Sequence, residues 1–272
     1  MTPATDGGGS RERSPGAVPL LELKGVSKRF GAVRALHEVD FDVTAGEVTA
    51  LVGDNGAGKS VTIKCIAGIH PVDGGEILWE GKPVSIHGPK DAAALGIEVV
   101  YQDLALADNL DVVQNMYLGR EEVTPFKALD ETKMERRCSE TLSSLSVTTI
   151  RSVRQTVAGL SGGQRQSIAV AKAVMWNSRL VILDEPTAAL GVAQTRQVLD
   201  LVKRLADQGL AVMLVSHNLH DIFEVADRIT VLRLGQDVAR FTTKETTQRE
   251  VVEAITAGTL STVPGQEEEI TA

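Results

Sequence analysis

Eight consecutive residues constrain this chain more than any others. Gly53-Asp54-Asn55-Gly56-Ala57-Gly58-Lys59-Ser60 fits the pattern G-x-x-x-x-G-K-[ST]. The run before it, residues 48–52, is apolar and rich in valine, the mark of a buried strand, and a helical pattern opens near Lys59. Glycines let the backbone wrap closely round phosphate oxygens, successive N–H groups point inward, and a helix N-terminus adds a favourable field for the anion. Lys59 then brings a mobile positive charge to the β and γ phosphates, and the Ser60 hydroxyl is a candidate Mg²⁺ ligand. Val61 closes the set of candidate nucleotide-binding residues.

The rest of the chain supports an α/β reading. Residues 48–52, 97–101, 180–183 and 211–216 are apolar through most of their length, which suits parallel strands buried on both faces. Residues 20–26 and 36–43 partly alternate instead, and 76–79 with 82–86 read as a hairpin, predicting an antiparallel sheet beside the parallel one. From about 91 to 165 strand signals thin out, and 112–118 and 129–145 are helical. This predicts a helical insertion within one domain spanning 19–257. The start, 1–18, is rich in Gly, Ser and Pro, and the end, 258–272, carries Glu267-Glu268-Glu269. Both read as solvated, disordered tails, since neither can bury enough surface to offset the entropy of ordering.

Composition removes several classes. With 36 acidic and 28 basic side chains the formal charge is −8, so general affinity for nucleic-acid phosphates has no electrostatic support. No apolar run reaches the roughly 18 to 20 residues a bilayer span requires, and the N-terminal stretch lacks a signal-peptide core, predicting a cytosolic location. The two cysteines, Cys65 and Cys138, have no Cys or His partner at zinc spacing and read as reduced core residues.

Two further motifs carry chemistry. The strand 180–183 runs into Asp184-Glu185-Pro186, placing adjacent acids at a strand end where open α/β sheets bind ligands. On extended backbone the two would point opposite ways. Asp184 suits the orientation of Mg²⁺ through water, and Glu185 the activation of an attacking water. Ser161-Gly162-Gly163-Gln164 opens a helical run, and its S-x-x-Q spacing makes a capping box, so a plain helix start is one reading. The paired glycines are poor helix formers, and close approach of backbone to a second phosphate is the other.

Taken together, Gly53 to Ser60, Leu160-Ser161-Gly162-Gly163-Gln164 and Leu180 to Glu185 resemble, in that order, the motifs of the ATP-binding cassette. The resemblance covers about residues 20–257 and implies a P-loop NTPase (RecA-like) fold in a nucleotide-binding subunit of an ABC transporter. It further implies that Phe30 stacks on adenine, that Gln102 contacts Mg²⁺ or its water, and that His217 contacts the γ-phosphate. ATP and Mg²⁺ are the implied ligands. The implied partners are a second copy of the chain, integral membrane permease subunits on whose cytoplasmic face it sits, and indirectly a solute-binding protein. The stretch from Asp184 to Val192 is similar to monosaccharide importers of the ribose and xylose type. One departure stands out: Gly191 occupies a D-loop position where many members carry aspartate. That leaves open an ATP-binding regulatory module with little hydrolysis; a soluble ABC ATPase acting on nucleic acid or ribosomes is the other alternative.

Overall fold

The computed structural model describes residues 18–257. The expected tails lie outside the described residues, apart from Val18, which is exposed. In chain order the strands are β1 (Leu21–Phe30), β2 (Val33–Val43), β3 (Val48–Val52), β4 (Gly74–Trp79), β5 (Lys82–Val84), β6 (Ile97–Val100), β7 (Leu180–Asp184), β8 (Ala211–Val215), β9 (Arg228–Arg233) and β10 (Gln236–Thr242). The α-helices are α1 (Lys59–Ile66), α2 (Pro89–Ala94), α3 (Val112–Tyr117), α4 (Glu131–Ser144), α5 (Gly162–Val174), α6 (Val192–Asp207), α7 (Leu219–Val225) and α8 (Gln248–Ala257).

The strands form two sheets. One is antiparallel, in the order β2-β1-β4-β5. The other runs β10-β9-β3-β8-β7-β6, parallel except for the edge strand β10. The central strands are apolar on both sides because both sides are covered. Val48, Ala50 and Val52 of β3 face a core shared with α3, α5 and α6, whereas Leu51 faces a second core filled by Leu21, Phe41 and Ile63. Alternate residues of one strand thus serve two cores, as the two-residue pleat requires.

Two differences from the expected organisation have local causes. The core strand expected at 97–101 forms as β6, paired with β7 with Ile97 opposite Leu180, so the helical insertion starts later than the expected bound of about 91. The helices that stand off the sheet begin at Val112, where Asp111 caps α3 with a capping box to Gln114. Strands β9 and β10 were not expected, since Arg228, Thr230 and Arg233 interrupt the apolar pattern. Arg228, the first residue of β9, is accommodated by a bidentate pair with Asp42 of β2. Cys65 and Cys138 are free and buried, and burial pushes their thiols up to about 11 and about 12.

Candidate nucleotide site

The cradle rises from the middle of the core sheet. β3 ends at Val52, the loop turns back through Gly53 to Gly58, and α1 starts at Lys59. Two of its glycines are sterically required. A Cβ on Gly53 would lie 2.2 Å from the carbonyl oxygen of Leu232, and one on Gly58, where φ is 110°, would lie 2.8 Å from Leu36 Cδ2. The helix start has no side-chain cap and no acidic residue in its first turn, so its N–H groups and dipole are left for an anion. Lys59, itself buried, arches over the loop and donates to the carbonyl oxygens of Gly53 at 2.6 Å and Asp54 at 3.1 Å.

A cavity of about 270 Å³ opens above this loop, lined by Ala35, Asn55 to Val61, Gln102, Asp184 and Glu185. Four segments distant in sequence therefore converge on one space. Their placement follows from strand order, because β7 lies beside β8, which lies beside β3, and all three end on the same side. Ala35, at the start of β2, carries no chemical signal and was not anticipated.

Asp184 and Glu185 both face the cavity, contrary to the opposed orientation expected of extended backbone. The strand ends at Asp184, and Glu185 takes a left-handed conformation with φ 50°, which swings its side chain to the same side. Its Oε2 lies 2.8 Å from His217 Nδ1 and accepts a long bond from the His217 N–H at 3.4 Å. Burial and the neighbouring Glu185 carboxylate hold the Asp184 carboxyl above the usual range, with Lys59 and Lys64 pulling the other way. A carboxylate in that state gains from a cation beside it. Ser60, Gln102 and Asp184 supply hydroxyl, amide and carboxylate oxygens to one cavity, a donor set that suits Mg²⁺ completed by substrate phosphates and water.

Other candidate residues stand apart. Phe30 ends β1 with its ring partly exposed, edge-on to His70 at 5.0 Å between centroids and beneath the Lys28 ammonium at 5.4 Å. It does not line the cavity, and neither do Ser161, Gly162, Gly163 and Gln164. The capping box is formed: Gln164 N–H donates to Ser161 Oγ at 3.3 Å and Ser161 N–H to Gln164 Oε1 at 2.9 Å. The paired glycines also have a packing reason. A Cβ on Gly162 would come 3.0 Å from Leu190 Cδ2, and one on Gly163 would come 3.0 Å from Gln194 Cβ of α6. Gly191, the N-cap of α6, has nothing within 4 Å of where a Cβ would sit.

A parallel sheet with a glycine-rich phosphate cradle at its centre and two carboxylates at a neighbouring strand end defines a P-loop nucleotide-binding domain. The chain belongs to the ABC transporter family, whose pattern it matches over residues 36–188. It is 46% identical over 244 residues to the fructose import ATP-binding protein FrcA of Rhizobium meliloti, covering 88% of this chain and 94% of that one. It is 45% identical over 244 residues to the xylose/arabinose import ATP-binding protein XylG of Sulfolobus acidocaldarius, covering 90% and 96%. The ribose import ATP-binding protein RbsA of Yersinia pestis is 38% identical over 253 residues, which span 93% of this chain but 49% of that longer one. Among solved structures, a nucleotide-free ATP-binding cassette from an ABC transporter has a TM-score of 0.74 at 24% identity, covering 82% of this chain and 91% of that one. A dimeric post-hydrolysis cassette bound to ADP and Pi has a TM-score of 0.68 at 23% identity, covering 83% and 100%.

Proposed function

We propose that this chain is the ATP-hydrolysing subunit of a membrane transporter that imports a monosaccharide, and that it acts as a homodimer. The observation that carries the dimer is the division of the motifs. One chain gathers Asn55 to Val61, Gln102, Asp184 and Glu185 round a cavity and leaves Ser161 to Gln164 outside it. A head-to-tail pair would bring the exposed start of α5 from one protomer over the cradle of the other, so each ATP would lie between two chains. The adenine would stack on Phe30, whose ring is exposed at the end of β1. The names of the relatives support the sugar class and the direction of transport.

In the hydrolytic step Glu185 takes a proton from water as the water oxygen bonds to the γ-phosphorus and the bond to the bridging oxygen breaks. His217 holds the Glu185 carboxylate. Lys59 balances charge on the β and γ oxygens, and Ser60, Gln102 and Asp184 would hold Mg²⁺. When bound, Mg²⁺ supplies neutralisation of the developing phosphate charge. Loss of the γ-phosphate removes the bridge between protomers, the pair reopens, and the motion is passed to a permease at the cytoplasmic face of the membrane. A solute-binding protein would deliver the sugar to that permease. The Glu185–His217 pairing favours hydrolysis over a purely regulatory role for the same fold.

The test is uptake. Co-purification from membranes should recover an integral permease, and vesicles holding both should take up labelled fructose, xylose or ribose only with Mg-ATP. Uptake that persists when Lys59 is replaced by alanine would remove the chain from the energising role.

A further inference from the structure

Two side-chain contacts tie the loop after β7 to the segment after β8. One is the Glu185–His217 pair. The other lies below it, where Thr187 Oγ1 donates to Asp221 Oδ2 at 2.7 Å. Asp221 sits in the first turn of α7 and is only 3% exposed. Neither residue lines the nucleotide cavity. A carboxylate so buried needs a donor to offset its lost hydration, and the Thr187 hydroxyl supplies one.

What this contact holds is a turn that backbone preference alone would not select. Glu185 at φ 50° and Ala189 at φ 61° are both left-handed without being glycine, and Pro186 follows Glu185 directly. Such conformations persist only where the surroundings over-determine them. Here the Glu185 N–H donates to the Val215 carbonyl at 2.8 Å, the Ala188 N–H to that of Glu185 at 3.1 Å, and the Leu190 N–H to that of Thr187 at 3.2 Å. At its far end the turn presses Leu190 on Gly162, the first residue of α5.

We propose that Asp221 is a positioning residue for ATP hydrolysis: through Thr187 it fixes the turn that aims Glu185, and through Leu190 it seats that same turn against the start of α5. The water-activating carboxylate on one protomer and the helix start that serves the partner's ATP are then set by one rigid segment. The inference rests on the hydrolytic reading above and adds to it a residue outside the cavity. Because the cradle is untouched, losing the contact should slow turnover without weakening nucleotide binding.

The experiment compares full-length Thr187→Val, Thr187→Ser, Asp221→Asn and the double variant T187V/D221L, with Glu185→Gln alongside. Phosphate release gives kcat and KM, and thermal melting reports folding. Val removes the donor, and kcat should fall about ten- to a hundred-fold, the scale of a misplaced catalytic group, with KM for ATP within about two-fold. Ser and Asn keep the donor and the acceptor, so both should recover most of that loss. The double variant leaves no orphaned carboxylate, should fold even where Thr187→Val alone does not, and should be as slow as the single variant. A folded double variant with normal kcat overturns the proposal, as does a loss shared equally between kcat and KM. Normal turnover in Glu185→Gln would instead overturn the hydrolytic reading itself.

Discussion

Glu185 and His217 meet at 2.8 Å across the ends of two strands that are themselves hydrogen-bonded neighbours. The imidazole is largely exposed and the carboxylate largely covered. Glu185 lines the cavity and His217 does not, so the imidazole steadies the proton acceptor from outside while the carboxylate faces the space where water would attack. Glu185→Gln retains shape and hydrogen-bonding capacity but cannot take a proton. Turnover should drop by about 10²- to 10⁴-fold while ATP remains bound, the range for loss of a general base. Closed dimers should accumulate with ATP and be visible by light scattering. Near-normal phosphate release would take Glu185 out of the base role.

Asp184 pays in stability for its position. Its folded-state pKa is raised, chiefly by burial and then by Glu185. The folded protein therefore favours the protonated form, and its stability declines as pH rises from the unfolded carboxylate value through the raised folded one. Asp184→Asn removes that burden, so the nucleotide-free protein should melt at a higher temperature at neutral pH. The same change should raise the Mg²⁺ requirement for hydrolysis about ten- to a hundred-fold, as loss of an outer-shell carboxylate does. An unchanged Mg²⁺ requirement would place the ion elsewhere.

Legibility in the sequence followed the type of interaction. The cradle, the strands ending at Val52 and Asp184, and the cap at Ser161 were readable because each rests on local chemistry: steric need for glycine, apolar runs, or a side chain bonding backbone three residues on. Strands β9 and β10 were not, because the Arg228 that opens β9 is paired with Asp42, 186 positions away. The shared orientation of Asp184 and Glu185 was hidden for a related reason. It depends on a left-handed residue before proline, held by contacts to β8 and the segment after it. Thr187 and Asp221 form no motif in sequence, since their relation exists only once β7 and β8 lie side by side.

Gly191 is the departure that raised the regulatory alternative, and the structure leaves room to reverse it. A Cβ there meets nothing within 4 Å, and the backbone at φ −75°, ψ 162° is ordinary for any residue. Gly191→Asp should fold normally and stabilise α6 by a few tenths of a kcal/mol as a better N-cap, an effect of about 0.2 to 0.5 kcal/mol. If an aspartate at this position improves closure of the pair, ATPase activity should rise in the variant. Equal activity would show that the two chains close fully with glycine.

The two accounts of Gly163 make opposite predictions. If close approach to phosphate is its only purpose, Gly163→Ala should raise the melting temperature, because alanine favours a helix by up to about 1 kcal/mol over glycine. The contact with α6 argues otherwise. The added methyl would meet Gln194 Cβ at 3.0 Å, with Gln194 Cγ at 3.2 Å and Cα at 3.6 Å, and two of these atoms move only with the helix backbone. Seating it requires α5 and α6 to part slightly along an interface that also buries Ile168, Leu199 and Val202. We expect the melting temperature to fall by roughly 2 to 6 °C, corresponding to overpacking of about 1 to 2 kcal/mol in a domain of this size. Gly162→Ala is the matched control, since its methyl meets only the terminal Cδ2 of Leu190, which can rotate away. A Gly163→Ala protein that melts higher yet hydrolyses poorly would return this glycine to the phosphate alone.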